Sequence, residues 1–143
     1  MMNRAERELY FLAQEDELLL AGAAFSEWCT FISKSVYDAF VNGADLATII
    51  TAVTCIETFF KTEDPSNKQK NLSQLIDEAP NLSNEDKMQL HLLRKYRNGW
   101  VHAARIDDDE ILKHEEKYQR ELERMALLSV RLLLIVLFSN PLV

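Results

Sequence analysis

Near its end the chain carries the run Met125-Ala126-Leu127-Leu128-Ser129-Val130-Arg131-Leu132-Leu133-Leu134-Ile135-Val136-Leu137-Phe138, which decides the fold. Every residue in it is apolar except Ser129 and Arg131. The run is shorter than the ~18 uninterrupted apolar residues that a membrane span usually needs. We therefore expect a helix buried by its own bundle or by a second subunit, and no membrane partner.

The residues before this run extend the same helix. Asp107-Asp108-Asp109 places negative charge where the helix dipole favours it, at the start. A helix from there to about Asn140-Pro141 is roughly 45 Å long at 1.5 Å per residue. Its apolar stripe is Ile111, Tyr118, Leu122, Met125, Leu132 and Val136.

Earlier segments repeat apolar residues at helical spacing. The first stripe stops at Asn42-Gly43 and contains Phe25, Trp28, Cys29, Ile32, Val36 and Phe40. The second follows a predicted N-cap at Asp45 and contains Leu46, Ile50, Val53, Glu57 and Phe60. Upstream, Leu9, Leu12 and Leu18 to Leu20 either extend the first helix or form a separate one.

Two further helices follow. A short one carries Leu72, Leu75, Ile76 and Ala79 and stops at Pro80. Ser83-Asn84-Glu85-Asp86 resembles a capping box and starts the next, which we expect to break at Asn98-Gly99. With only three glycines and three prolines, an all-β fold is disfavoured.

The composition is that of one ordinary globular domain spanning residues 1–143, with 48% hydrophobic and 27% charged residues. The sequence therefore predicts an all-α antiparallel helical bundle of about five helices, with a core that needs no metal or disulfide. Cys29 and Cys55 are expected to be reduced and buried. The charged N-terminus lacks the apolar core of a signal peptide, which favours a cytoplasmic location.

The charge is unevenly distributed. The chain has a formal net charge of −7, yet residues 91–105 contain no acidic residue and four cations, Arg94, Lys95, Arg97 and Arg105. That window carries +4, so the remainder carries −7 − 4 = −11. Such a patch can hold one or two phosphates without binding nucleic acid indiscriminately. The alternative is that these cations pair with acidic residues of neighbouring helices.

The patch also contains groups capable of proton transfer. The guanidinium of Arg97 has a geometry that fits two phosphate oxygens, and the imidazole of His102 can take or give a proton. Residues five apart on an unbroken helix diverge by about 140°, but a break at Gly99 would turn His102 toward Arg97. Trp100 and Val101 would then anchor the turn in the core. Alternatively, Asn98-Gly99 simply ends a helix and His102 is an ordinary histidine.

The run Leu93-Arg94-Lys95-Tyr96-Arg97-Asn98-Gly99-Trp100-Val101-His102 resembles the motif of the HEPN superfamily. That motif is an Arg, most often followed by Asn, and then a His after four to six residues, late in an all-helical domain. The resemblance implies a metal-independent ribonuclease without a cofactor, in which two protomers build a composite cleft. It implies catalytic roles for Arg97, Asn98 and His102.

Other residues take supporting roles. Arg94, Lys95 and Arg105 would contact the substrate. Glu57 stands on an apolar stripe and needs a partner, either Arg97 or Arg94, or else solvent. His91 and His114 are expected to be solvated. We see no grouping of metal ligands. Ala104 occupies the position where related toxins controlled by a nucleotidyltransferase carry a Tyr, so we do not expect that control.

Three functions follow from these observations. The first is a homodimeric HEPN-like ribonuclease of the toxin or antiviral-defence kind, with a cognate antitoxin or defence partner. The second is a module that binds RNA or a nucleotide without cutting. The third is a helical partner subunit in such a complex.

Overall fold

A computed structural model describes residues 1–18, 26–102 and 108–139, and these residues form helices and no strand. The helices are α1 (Arg4–Leu18), α2 (Glu27–Val41), α3 (Asp45–Glu63), α4 (Leu72–Glu78), α5 (Asn84–Val101), α6 (Asp108–Lys113) and α7 (Glu115–Leu137), with a 3-10 turn at Pro65–Asn67. The prediction of an all-α bundle is confirmed. The described residues contain seven helices, whereas about five were expected.

The last helix is interrupted. His114 has the non-helical angles φ −122° and ψ 37°, and it separates α6 from α7. One continuous helix up to the apolar run was therefore a wrong prediction. The expected ends, near Asp107 and Asn140, lie outside the described residues.

Helices α1 and α2 are bounded by Leu18 and Glu27, and residues 19–25, including Phe25, lie outside the described part of the chain. Ser26 caps α2, accepting a hydrogen bond from the Cys29 N–H at 3.2 Å. The stop at Asn42-Gly43 is confirmed. Gly43 has φ +77°, and its N–H donates to the Phe40 carbonyl at 3.1 Å, one of the bonds that closes a helix C-terminus.

The core lies where α3 packs against α7 and α2, the most extensive contacts between helices. Ile49, Ala52 and Ile56 of α3 are almost wholly excluded from solvent. In α7 the same holds for Leu132, Leu133, Leu134, Val136 and Leu137. The apolar run is therefore a buried helix, as predicted. No helix in the described ranges is long and apolar enough to cross a membrane.

One residue of the first predicted apolar stripe does not face the core. Cys29, Val36 and Phe40 face the core, but Trp28 is 67% exposed, because it lies on the outer side of α2. Cys29 and Cys55 are buried and not bonded to each other, as expected. The Cys55 thiol donates to the Cys29 carbonyl at 3.7 Å.

One charged side chain is buried in this core. Arg7 is 2% exposed, and its guanidinium donates to Asp45 at 2.6 Å, to Glu123 at 3.2 Å and to the Phe40 carbonyl at 3.0 Å. It joins α1 to the end of α2, the start of α3 and the middle of α7. The predicted cap at Asp45 is wrong: Ala44 takes the N-cap position, and the Asp45 carboxylate binds Arg7 instead.

We expect Arg7→Met to lower the free energy of unfolding by about 3–5 kcal/mol, because it leaves two partly buried carboxylates without a counter-charge. Urea unfolding measures this change. Arg4→Met is the matched control. Arg4 pairs with Glu8 at 3.0 Å on the surface, so its loss should cost about 1 kcal/mol or less. Equal effects of the two substitutions would contradict the role given to Arg7.

Candidate functional site

Helix α5 carries the predicted site. Its start is confirmed, since the Ser83 hydroxyl accepts the N–H of Asp86 at 3.1 Å. Leu90 and Leu93 are buried and fix which side of α5 faces the bundle. The other side of α5 carries the polar and charged residues.

The helix does not break at Gly99. It continues to Val101, and the His102 N–H donates to the Asn98 carbonyl at 3.0 Å across the glycine. The predicted break is therefore wrong. Trp100 holds this last turn, because its ring meets that of Tyr118 on α7 edge-to-face, at 6.3 Å between centroids. Val101 is 43% exposed and does not anchor the turn in the core, contrary to expectation.

This continuity determines which site residues lie together. Asn98 and His102 are one turn apart on the same face of α5. Arg97 precedes His102 by five residues and is rotated from it by about 140°. It follows buried Leu93 by one turn and is itself half-buried, whereas His102 is exposed. One chain alone therefore does not bring Arg97 and His102 to the same face.

The charges of the α5 cations are not balanced by acidic residues of the described structure. Within the described residues, none of Arg94, Lys95 and Arg97 forms an ion pair with a carboxylate. The Nε atoms of Arg94 and Arg97 are buried and have no hydrogen-bond partner. This is contrary to the alternative in which these cations pair with neighbouring acidic residues. Arg105 lies outside the described residues.

Glu57 does not support this site. Its carboxylate pairs with Lys61, one turn along α3, at 3.3 Å. The expectation that it pairs with Arg97 or Arg94 is wrong. A lysine at this spacing on the same helix reaches the carboxylate without any contact between helices.

Tyr96 lies between Lys95 and Arg97 and points into the bundle. Its hydroxyl is buried close to Trp100 and Glu121, and burial raises the pKa of Tyr96 to about 12. The phenol therefore stays protonated at neutral pH. Tyr96 is therefore not a candidate for the general base of this site.

His91 has a role that the sequence did not indicate. Its Nε2 lies 2.7 Å from the Asp77 carboxylate of α4, and its Nδ1 lies 3.4 Å from an Arg94 nitrogen. The expectation that His91 is solvated is wrong, because only 24% of its side chain is exposed. His114 is exposed, as expected.

No protein-family model matches the chain, and no curated protein and no solved structure matches it. The HEPN resemblance therefore stays a prediction that rests on the residues of α5. Across the described ranges, no three or more His, Cys, Asp or Glu side chains are grouped so that they could hold a metal ion.

We expect Gly99→Ala to stabilise the protein by about 0.5–1 kcal/mol, because Gly99 is helical and an added Cβ meets nothing within 4 Å. Gly43→Ala is the control and should destabilise by about 1–2 kcal/mol, since Gly43 has φ +77°. Thermal and urea unfolding measure both. A loss of stability in Gly99→Ala would contradict a continuous α5.

Proposed function

We propose that this protein is a metal-independent endoribonuclease that acts as a homodimer, of the toxin or antiviral-defence type. Its catalytic groups are Arg97, Asn98 and His102. Arg94, Lys95 and Arg105 contact the phosphates of the RNA.

One observation carries the proposal. Arg97 is a half-buried cation, and among the described residues its Nε has no hydrogen-bond partner, in a chain with 23 acidic residues. A buried charge without a counter-ion is unfavourable, and an oxyanion would relieve that cost. Half-buried Asn98 and exposed His102 lie one turn apart on the adjacent face. The helix end thus offers an anion-binding group and a proton-transfer group within a few residues.

These groups are suited to the reaction in which a ribose 2′-hydroxyl of RNA attacks the adjacent phosphodiester. The 2′-hydroxyl attacks the adjacent phosphorus, so a 2′-O–P bond forms and the 5′-O–P bond breaks. His102 takes the proton from the 2′-hydroxyl and then gives a proton to the leaving 5′-oxygen, so the proton count balances. Arg97 stabilises the charge that grows on the phosphate oxygens. The products are a 2′,3′-cyclic phosphate and a 5′-hydroxyl.

The rotation between Arg97 and His102 is the reason for proposing a dimer. Because the two side chains of one α5 diverge, the Arg of one copy and the His of the other form the site across a two-fold axis.

A second candidate is a module that binds RNA or a nucleotide without cutting it. The divergence of Arg97 and His102 in one chain also favours this function, because binding a phosphate needs only the cations. Cleavage distinguishes the two candidates.

The test is incubation of the purified protein with a mixed RNA pool in excess EDTA. We expect cleavage that leaves 2′,3′-cyclic phosphates, identified by mass spectrometry of the ends. His102→Ala should slow it by about 10²–10⁴-fold, since it removes the proton-transfer group. Arg97→Ala should slow it by about 10²–10³-fold, the usual effect of losing a group that stabilises transition-state charge.

His114→Ala is the matched control, because His114 is an exposed histidine outside α5. It should cleave as the unaltered protein does. If the protein binds RNA but leaves it intact, the binding module replaces the ribonuclease as the function of this protein. Full cleavage by His102→Ala would overturn the assignment of the site.

A further inference from the structure

A shallow open cleft runs between α4 and α5, next to the site described above. It is lined by Asp77, Asn84, Lys87, His91, Arg94 and Lys95. Lys87, Arg94 and Lys95 are cations, and Asp77 is a carboxylate. The lining therefore has a net charge of about +2 with His91 neutral.

The Asp77 carboxylate in this cleft already has a hydrogen-bond partner, His91. Arginine can only donate hydrogen bonds, so His91 Nδ1 accepts from Arg94 at 3.4 Å. The proton of a neutral His91 then lies on Nε2, which donates to Asp77 at 2.7 Å. Asp77, His91 and Arg94 form a chain in which the first two residues fix the orientation of the third.

Arg94 retains unused binding capacity. The contact with His91 uses one terminal nitrogen, Nη2, and among the described residues the other terminal nitrogen forms no hydrogen bond. Lys87 lies on the same side, with its ammonium donating to the Asp77 carbonyl at 3.0 Å. A held guanidinium beside two lysines is suited to an oxyanion, because little side-chain freedom is lost when the anion binds.

We propose that this cleft is a second phosphate subsite, which holds an RNA phosphodiester away from the bond that is cut. Arg94 binds the phosphate, and His91 and Asp77 are positioning residues. Arg94 precedes His102 by eight residues, so the two phosphates lie about 12 Å apart along α5. The polymer would run along α5 from His102 toward α4. The identity of the ligand as RNA rests on the proposed function.

The test measures binding of a single-stranded oligonucleotide that carries 2′-O-methyl groups throughout and cannot be cleaved through its 2′-oxygens. The dissociation constant is measured by fluorescence anisotropy at several salt concentrations and pH 8, where an ordinary histidine is neutral. Arg94→Gln should raise it about tenfold, the effect of losing one charged hydrogen bond. A plot of the logarithm of the association constant against the logarithm of the salt concentration should become less steep by about 0.7, because one phosphate contact is lost.

His91→Phe tests the positioning role. We expect a larger dissociation constant and part of the same loss in slope, because Arg94 is no longer held. His91→Gln keeps a donor and an acceptor and should restore most of the binding. Urea unfolding of both variants accompanies these measurements. If His91→Phe changes only the unfolding free energy, the positioning role is overturned.

Arg4→Gln is the control for charge, because it removes a cation from exposed α1, outside the cleft lining. An Arg94→Gln effect no larger than that of Arg4→Gln, or no binding by the unaltered protein, would overturn the subsite. If the unaltered protein binds and Arg94→Gln weakens it as expected while RNA is never cut, the subsite holds and the proposed catalysis fails.

Discussion

The packing of α3 against α7 is the interaction on which the rest of the fold depends. Ile49 and Ile56 of α3 and Leu133 of α7 are fully or almost fully buried, and the other helices pack around this pair. Burial of apolar side chains stabilises the pair without fixing how the helices slide along each other. Arg7 supplies that restraint, because its ion pairs with Asp45 and Glu123 join a defined point on each helix to α1.

Helix α5 takes its orientation from the same core. It packs on α3 and α7 through Leu90 and Leu93, and the 3.6-residue repeat then determines where every other side chain points. His102 is exposed, while Arg97 faces the bundle and has no acidic partner among the described residues. The charge arrangement of the site follows from the packing of two leucines and from a helix that continues past Gly99.

The sequence predicted the helices well, because apolar periodicity and local caps are encoded within a few residues. It failed at Gly99. The same Asn-Gly pair ends α2 at Gly43, where the glycine has φ +77°, but Trp100 extends α5 by packing on Tyr118 of another helix. The pairing of His91 with Asp77 was missed for a similar reason. A contact across two helices depends on their packing, which no spacing along the chain records.

The composite site is the central claim of this account, and mixing two inactive variants tests it most directly. Arg97→Ala and His102→Ala are denatured together, refolded and assayed for RNA cleavage in EDTA. If the Arg of one copy serves the His of the other, the mixture should recover about a quarter of the unaltered activity, because half of randomly formed dimers are heterodimers and each keeps one intact pair. A mixture no more active than either variant alone, with both variants folded, would contradict the account.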